Sequence, residues 1–543
     1  MAASKSKTIW AFGDFQTPDD LARQVITTLQ RMGINPAAIV EPTCGLGNLL
    51  LNALKGFPQV EEAIGAEINA AHVERLRERL MAENVGRSVQ LLHANFFELD
   101  WAALSAQLPQ PILVLGNPPW VTSADLGLLQ SGNLPKKSNF HGRNGLDALT
   151  GKSNFDISEW MLLQNFQWLR AKTGTVAMLC KTSVARKVLR YAWTNKVALS
   201  AAQLFKIDAK HYFNAAVDAC LLVVQFGKLP TNHLYSLGQG SECAIFETLS
   251  SSSPSTMLGY QDGYLLADVA AYQRLRQLRG VDLHYTWRSG IKHDCAQVME
   301  IDQAYQEADN APTITTVIDG SGYPLCLEQP YLYPMLKSSD ISNRSINNIS
   351  KSSVQIATHR KYMIVTQKSV GEETNSIQQK APQLWDYLQR HKAKFQGRGS
   401  SIYKNRPEFS IFGVGGYTFT PWKVAISGFY KKLHFVPVGP IAGKPVVFDD
   451  TVYFLACSSE AEANFLAGLL NSELANQFLR SMIFWEEKRP ITIELLKRLD
   501  IYVLACALGK ADIYLSFVHT PALPKANEQA AQLRLLEEKP SYG

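Results

Sequence analysis

Residues Leu113 to Thr122 read LVLGNPPWVT. An aliphatic run and Gly116 lead straight into Asn117-Pro118-Pro119-Trp120. Neither proline carries a backbone N–H, so a strand that reaches them must stop. The resulting turn is stiff, and it presents Asn117, the Pro118 carbonyl and the Trp120 ring at the strand's carboxyl end. In open α/β sheets that edge is where ligands bind. An ordinary strand-ending Pro-Pro turn is the plain alternative, and the surrounding sequence decides between the two.

Working outward, IVEP, AIGAEI, VQLLHANFF, PILVLGNPP and TVAMLC are short apolar runs separated by helical segments. Residues 18–32 carry apolar positions at helical spacing after Thr17-Pro18, a good helix opening. NLLLNALKG, AAHVERLRERLMAEN and SEWMLLQNFQWLRAK read as further helices, and DACLLVVQFG as a last strand near 218–227. This alternation predicts an α/β fold with a doubly wound, mainly parallel sheet. The Ser- and Gly-rich stretch 231–264 reads as a connection, and from about 265 a mixed α+β domain is expected. The expected divisions are therefore 1–230, 231–264, 265–520 and a tail, 521–543.

The first strand ends in Ile39-Val40-Glu41-Pro42-Thr43-Cys44-Gly45-Leu46-Gly47-Asn48. Glycines at 45 and 47 let the backbone pass close to a ligand, and the following helix start adds positive dipole. This is not the dinucleotide fingerprint, because Leu50 stands where its third glycine belongs. Glu67, ending the next strand, is spaced to take the two hydroxyls of a ribose. Asn95-Phe96-Phe97 ends a third strand with a polar acceptor and a ring for a purine. Together these strand ends suit an adenosine-containing cofactor without a pyrophosphate.

The chain has 543 residues, 46% hydrophobic and 19% charged, the profile of an ordinary globular protein of two or three domains. Its eight cysteines show no metal-type spacing and fit reduced, mostly buried thiols. The start, MAASKSKTIWAFGD, lacks a signal-peptide core, and IYVLACALG is too short to span a membrane, so a soluble, cytoplasmic protein is expected. No metal is expected. Net charge is only +6, but Lys337 to Lys432 holds 16 Lys or Arg against 5 Asp or Glu, a local net of +11. The rest of the chain then nets −5. A basic domain joined to a mildly acidic one is a footprint for polyanion binding.

In ordered sequence these stretches resemble the gamma-class (TaqI-like) N6-adenine DNA methyltransferases of restriction–modification systems. GDFQTP is similar to that family's first motif, VEPTCGLGN to its glycine loop, and AEIN, HANFF and NPPW to the strand-end motifs that follow. KSNFDISEWMLLQNF, GTVAMLCKTSVAR and HYFNAAVDACLLVV resemble the later motifs, and WRSGIKHD, YLYPMLKSSDI, YFLACSSEAEANFLAGLLNSELA and EKRP its target-recognition domain. The resemblance covers nearly the whole chain. It implies a Rossmann-like methyltransferase sheet followed by a C-terminal α+β target-recognition domain, with S-adenosylmethionine as cofactor. The partner it implies is double-stranded DNA bound by a monomer, with a separately encoded restriction endonuclease as functional counterpart. By the same resemblance, Phe15, Thr17, Glu41, Cys44, Gly45, Gly47, Glu67, Asn95, Phe96 and Asn117 are cofactor-binding candidates. Asn117, Pro118, Pro119 and Trp120 are the catalytic candidates, and Trp120, Phe213, Lys337 and Arg344 those for DNA. Gln16 stands where the family often has an aromatic, and Asn95 where it usually has Asp, which implies altered cofactor affinity.

The chemistry explains the turn. An exocyclic amine on an aromatic base is a poor nucleophile, because its lone pair is delocalised. If Asn117 Oδ1 and the Pro118 carbonyl each accept one amino hydrogen, the nitrogen moves toward a tetrahedral shape and its lone pair is freed. Fixed acceptors stabilise the developing charge without reorganising. Trp120 offers a stacking face for a base swung out of the duplex, and Phe213 a second wall. Methylation of another planar amine (cytosine N4, an RNA base, a protein glutamine) is the competing reading, although a Ser is commoner than Asn at this position among cytosine N4 enzymes of the family. Asp156 in GKSNFDIS suits either a helix cap or a ligand. Asp449-Asp450 with Glu486-Glu487-Lys488 faintly suggests a nuclease set, and is read as structural.

Overall fold

The computed structural model describes residues 16–83, 88–121, 156–227, 238, 240–303, 314–320, 322, 324–342 and 361–518. Contacts divide the chain into two units, Met1–Ala270 and Ala271–Gly543. Phe15, Arg344 and the expected tail lie outside the described residues.

The first unit is built on a ten-stranded sheet in the order β10-β9-β8-β6-β7-β5-β4-β1-β2-β3. Its strands are β1 (Ala38–Glu41), β2 (Glu62–Glu67), β3 (Ser88–His93), β4 (Ile112–Gly116), β5 (Gly174–Lys181), β6 (Ala201–Ile207), β7 (Ala219–Phe226), β8 (Glu242–Phe246), β9 (Thr256–Gln261) and β10 (Tyr264–Leu266). From β3 to β5 every neighbouring pair is parallel. β7 then inserts antiparallel between β5 and β6.

Burial on both faces explains the continuous apolar runs. Leu113 and Leu115 enter one core with the helices Asp19–Arg31 and Asn48–Gly56. Ile112 and Val114 alternate with them and are also no more than 1% exposed, so they face the opposite layer. The helix Asp19–Arg31 starts at Pro18, as its sequence predicts, with Asp19 and Asp20 in its first turn and Arg31 in its last, each charge opposing the local end of the dipole.

The connections reverse direction at β1. The chain steps from β1 outward to β2 and β3, then returns to place β4 on the other side of β1 and β5 beyond it. The crevice at the carboxyl ends of β1 and β4 is therefore the topological switch point, where a ligand fits between diverging connections. The sheet thus has the doubly wound fold the sequence predicts.

One expectation is corrected. Residues 231–264 are expected to form a connection, yet they contain β8, β9 and the first residue of β10, strands that extend the sheet beyond β6, and the unit boundary falls at 270/271. The Ser-rich stretch 248–255 is the turn between β8 and β9, and ECAIF and TMLGYQ are too short to stand out beside it.

The second unit is α+β. It holds a four-stranded sheet, β11 (Arg288–Ser289), β20 (Val452–Cys457), β17 (Trp422–Ser427) and β18 (Val436–Val438), in that order. A six-stranded sheet runs β14 (Pro324–Glu328), β13 (Ile314–Ile318), β12 (Glu300–Gln303), β16 (Lys361–Ile364), β15 (Leu332–Leu336) and β19 (Val447–Phe448). The helix Pro382–Arg390 packs Leu384, Tyr387 and Leu388 into the core of the second sheet. Among the described residues no helix is long and apolar enough to cross a membrane.

Candidate active site

The β1 loop is shaped by its glycines. Gly45 and Gly47 have φ of +51° and +78°, the left-handed region that glycine enters without strain. Gly47 N–H donates to the Cys44 carbonyl at 2.7 Å, and the helix Asn48–Gly56 starts immediately after it. Arg79, from the helix Ala70–Ala82, donates to the Leu46 carbonyl at 2.6 Å and to Asn48 Oδ1 at 2.8 Å, stapling the loop from one side. On another side the Gln16 side-chain oxygen accepts from Leu46 N–H at 2.9 Å, and Asn48 Nδ2 donates to the Thr17 carbonyl at 2.7 Å. The Gln16 departure thus gives the loop a hydrogen-bonded partner.

Glu67 is held over this loop. One carboxylate oxygen accepts from Gly45 N–H at 2.9 Å and the other from Asn69 N–H at 2.8 Å. A carboxylate has about four acceptor sites, so this half-buried group is oriented with capacity left for two hydroxyls. Glu41 differs. It is buried, and its carboxylate accepts from Leu50 N–H at 2.9 Å, at the start of the helix. Desolvation raises its pKa well above the usual carboxylate range, against the pull of the Leu50 bond and with the nearby Glu67 charge adding to the rise. Glu41 anchors the loop from beneath. Cys44 is buried beside it, and desolvation, then the Glu41 and Glu67 charges, keep its thiol protonated.

At the end of β3, Asn95 Oδ1 accepts from Phe97 N–H at 3.1 Å in a local turn. Phe96 is buried against Trp101, with ring centroids 5.3 Å apart, whereas Phe97 is only partly buried. Sequence reasoning favoured Phe96 for ligand contact. The structure gives most of its surface to the core and leaves Phe97 as the more open ring.

Asn117, Pro118, Pro119 and Trp120 follow β4 directly, across the switch point from the glycine loop. The Trp120 indole is 6% exposed, donates its N–H to the Leu179 carbonyl at 3.3 Å, and meets Phe213 edge-to-face with centroids 5.1 Å apart. The two expected walls therefore stand side by side, with their ring planes 70° apart. The two rings touch each other, and a planar base would have to part them. Phe213 is the last residue of the short helix Ala209–Phe213, whose position the sequence did not fix.

Asp156 resolves as a cap. Its Oδ1 accepts from Ser158 N–H at 3.1 Å at the start of the helix Ile157–Leu169, and its Oδ2 pairs with Lys181 at 2.7 Å. Lys181 was not singled out from the sequence. No local signal marks it, since its partner lies on a separate element.

In the second unit, the expected DNA contact Lys337 forms an ion pair. Its ammonium lies 2.5 Å from Glu300 Oε2, and Glu300 also faces the buried His293 at 3.6 Å. Arg398 is likewise internal, donating to the His293 and Ser410 carbonyls and stacking 3.5 Å from the Tyr403 ring. Lys394, Lys404, Arg406, Lys431 and Lys432 are exposed, and Tyr430, beside the last two, is 43% exposed. Asp450 pairs with Arg489 at 3.7 Å and Asp449 accepts from Thr451, so both fix the turn after β19. Among the described residues no group of three or more His, Cys, Asp or Glu is placed to hold a metal ion.

The donor set fits an adenosine cofactor with an amino-acid tail. It offers a carboxylate for vicinal hydroxyls and an amide with a ring beyond it. The arginine at the glycine loop is turned to the Leu46 carbonyl and the Asn48 amide oxygen.

No protein-family model matches this chain. The type II methyltransferase M.NspV of Nostoc sp. is 43% identical over 505 residues, covering 93% of this chain and 99% of its own. Among solved structures, that of the type IIL restriction-modification enzyme MmeI in complex with DNA covers 96% of this chain and 75% of its own, at 13% identity and a TM-score of 0.42. The methyltransferase subunit of a type I restriction-modification system from Streptococcus thermophilus covers 43% of this chain and 47% of its own, at 19% identity and a TM-score of 0.29. These structural likenesses are too slight to carry the assignment, which rests on the end-to-end identity with M.NspV: the chain belongs to the type II methyltransferases.

Proposed function

We propose that this protein transfers a methyl group to N6 of an adenine at a specific site in duplex DNA, as the modification enzyme of a restriction–modification system. The observation that supports this reading best is the position of Asn117-Pro118-Pro119 at the carboxyl end of β4, beside the glycine loop of β1 at the switch point. S-adenosylmethionine is the cofactor, and it supplies a methyl group activated on a sulfonium. Glu67 binds its ribose, the loop from Cys44 to Gly47 its amino-acid end, and Asn95 with Phe97 its purine.

Asn117 Oδ1 and the Pro118 carbonyl accept the two amino hydrogens of the adenine and draw its lone pair out of the ring. Two successive prolines restrict the backbone there, so the acceptors are in place before the amine develops charge. Proximity supplies much of the remaining acceleration. The adenine reaches the turn by leaving the duplex, because a paired and stacked amine is inaccessible. The exposed cations of the second unit engage phosphates, an attraction that salt weakens. A cytosine amine offers the same two hydrogens, so cytosine N4 is the second reading, and Asn rather than Ser at position 117 favours adenine.

Asn117→Ala tests the assignment. Single-turnover methyl transfer is expected to fall roughly 100-fold or more, the scale for losing one preorganised charge-stabilising group. Affinities for cofactor and duplex are expected to stay near wild type, because the contact strengthens mainly in the transition state. Comparable losses in rate and in DNA affinity would remove Asn117 from the chemistry.

A further inference from the structure

Asp156 and Lys181 close a circuit of bonds around the β4 turn. Lys181 Nζ lies 2.7 Å from Asp156 Oδ2, and the two side chains are 21% and 8% exposed. Asp156 Oδ1 accepts from Ser158 N–H at 3.1 Å and from the Ser158 hydroxyl. One residue on, Ile157 N–H donates to the Val121 carbonyl at 3.0 Å. Val121 adjoins Trp120, whose indole N–H donates to the Leu179 carbonyl at 3.3 Å, two residues before Lys181. The path Trp120–Leu179, Lys181–Asp156, Ile157–Val121 therefore returns to its start.

The prolines fix their own φ but not the tilt of the turn as a body against β5. That tilt is set by the circuit, because the turn leaves β4 at one end and is tied to β5 and to the start of the helix Ile157–Leu169 at the other. A largely buried ion pair is weak evidence for stability, since apolar replacements often serve as well, and its best-attested use is to specify one arrangement. Its orientation is over-determined here, with both oxygens of Asp156 engaged.

We infer that Asp156 and Lys181 are a positioning pair for methyl transfer, holding the Asn117–Trp120 turn in register with β5 while touching neither cofactor nor base. The inference rests on the reading of that turn as the methyl-transfer site.

The test compares Asp156→Asn, Lys181→Met, Lys181→Arg and the double variant Asp156→Asn with Lys181→Met, alongside Asn117→Ala, in the full-length protein. Asn preserves a cap acceptor, so Asp156→Asn removes the charge and spares the helix start. Single-turnover rates are expected to fall roughly 10- to 100-fold in Asp156→Asn and Lys181→Met, the scale of a small misplacement of reacting groups. Their cofactor and DNA affinities are expected to stay within about twofold, because neither residue forms part of those surfaces. Lys181→Arg keeps the pair and is expected to keep most of the rate. The double variant removes both charges, so its urea midpoint is expected to recover while its rate stays low. Full activity of Asp156→Asn with Asn117→Ala inactive would overturn the inference and leave the site reading standing. A rate that recovers with the midpoint in the double variant would show a merely structural pair. Full activity of Asn117→Ala would instead defeat the site reading itself. Should Asp156→Asn be insoluble, equal rates for Lys181→Met and Lys181→Arg overturn the inference alone.

Discussion

Gly47 lies directly beneath Leu76: a Cβ built on Gly47 would fall 2.2 Å from Leu76 Cδ1, and Leu76 is fully buried. The glycine loop and the helix Ala70–Ala82 therefore meet at a spacing only glycine permits. Gly47→Ala combines left-handed strain with overpacking and is expected to cost about 2–4 kcal/mol of stability. The loop would shift as well, so cofactor affinity should fall with the urea midpoint. A variant with wild-type midpoint and cofactor titration would contradict this packing.

Glu67 is aligned by Gly45 N–H and Asn69 N–H and is expected to hold the ribose through its charge. Glu67→Gln keeps one acceptor oxygen and loses the charge, so calorimetric cofactor affinity should weaken roughly 10- to 100-fold, as for hydrogen bonds to a charged group. Unchanged affinity would move the ribose away from this strand end.

Lys423 gives the second unit a pH signature. Its ammonium is buried, donates to the Thr420 carbonyl at 2.7 Å, and desolvation pushes its pKa down to about 7 from 10.5. Between these values the unfolded chain holds a proton that the folded chain lacks, so stability rises with pH across that window. Below about pH 7 the charging penalty is fully present. The wild type is expected to gain stability between pH 7 and pH 10 relative to Lys423→Met, measured by urea denaturation of both. Parallel pH profiles for the two proteins would refute the buried charge.

Trp120 and Phe213 must separate if a base is to enter between them. Trp120→Leu is expected to lower the methylation rate more than DNA affinity, because stacking of about 1–3 kcal/mol per base offsets the cost of extrusion. A mismatch opposite the target adenine should rescue part of that rate by making extrusion easier. A 2-aminopurine at the target should brighten on binding, more so in Trp120→Leu, where indole quenching is removed. No rescue and no change in emission would leave Trp120 as packing under the turn.

The sheet was legible where strands are covered on both faces. β1, β2, β4, β5 and β7 read as apolar runs because the middle of each is buried on both faces. β6 does not read as such a run, because in AAQLFKI the buried Gln203 and the exposed Lys206 leave only Leu204-Phe205 between them. At the site, the spacing of Gly45, Gly47, Glu67 and Asn117 was readable because each stands at a strand end. Contacts made across elements were not. The Lys181–Asp156 pair, the Glu300 partner of Lys337 and the edge-on approach of Phe213 to Trp120 are set by tertiary packing, to which charge counts and motif order are blind.

The central claim is that the amine activated at Asn117 belongs to an adenine in DNA. It is tested most directly by incubating duplex DNA with the protein and isotope-labelled S-adenosylmethionine, digesting to nucleosides and identifying the labelled product by mass spectrometry. N6-methyladenine at one recurring sequence, absent with Asn117→Ala, is the expected result. N4-methylcytosine as the labelled product, or labelled adenine that persists unchanged with Asn117→Ala, would contradict it.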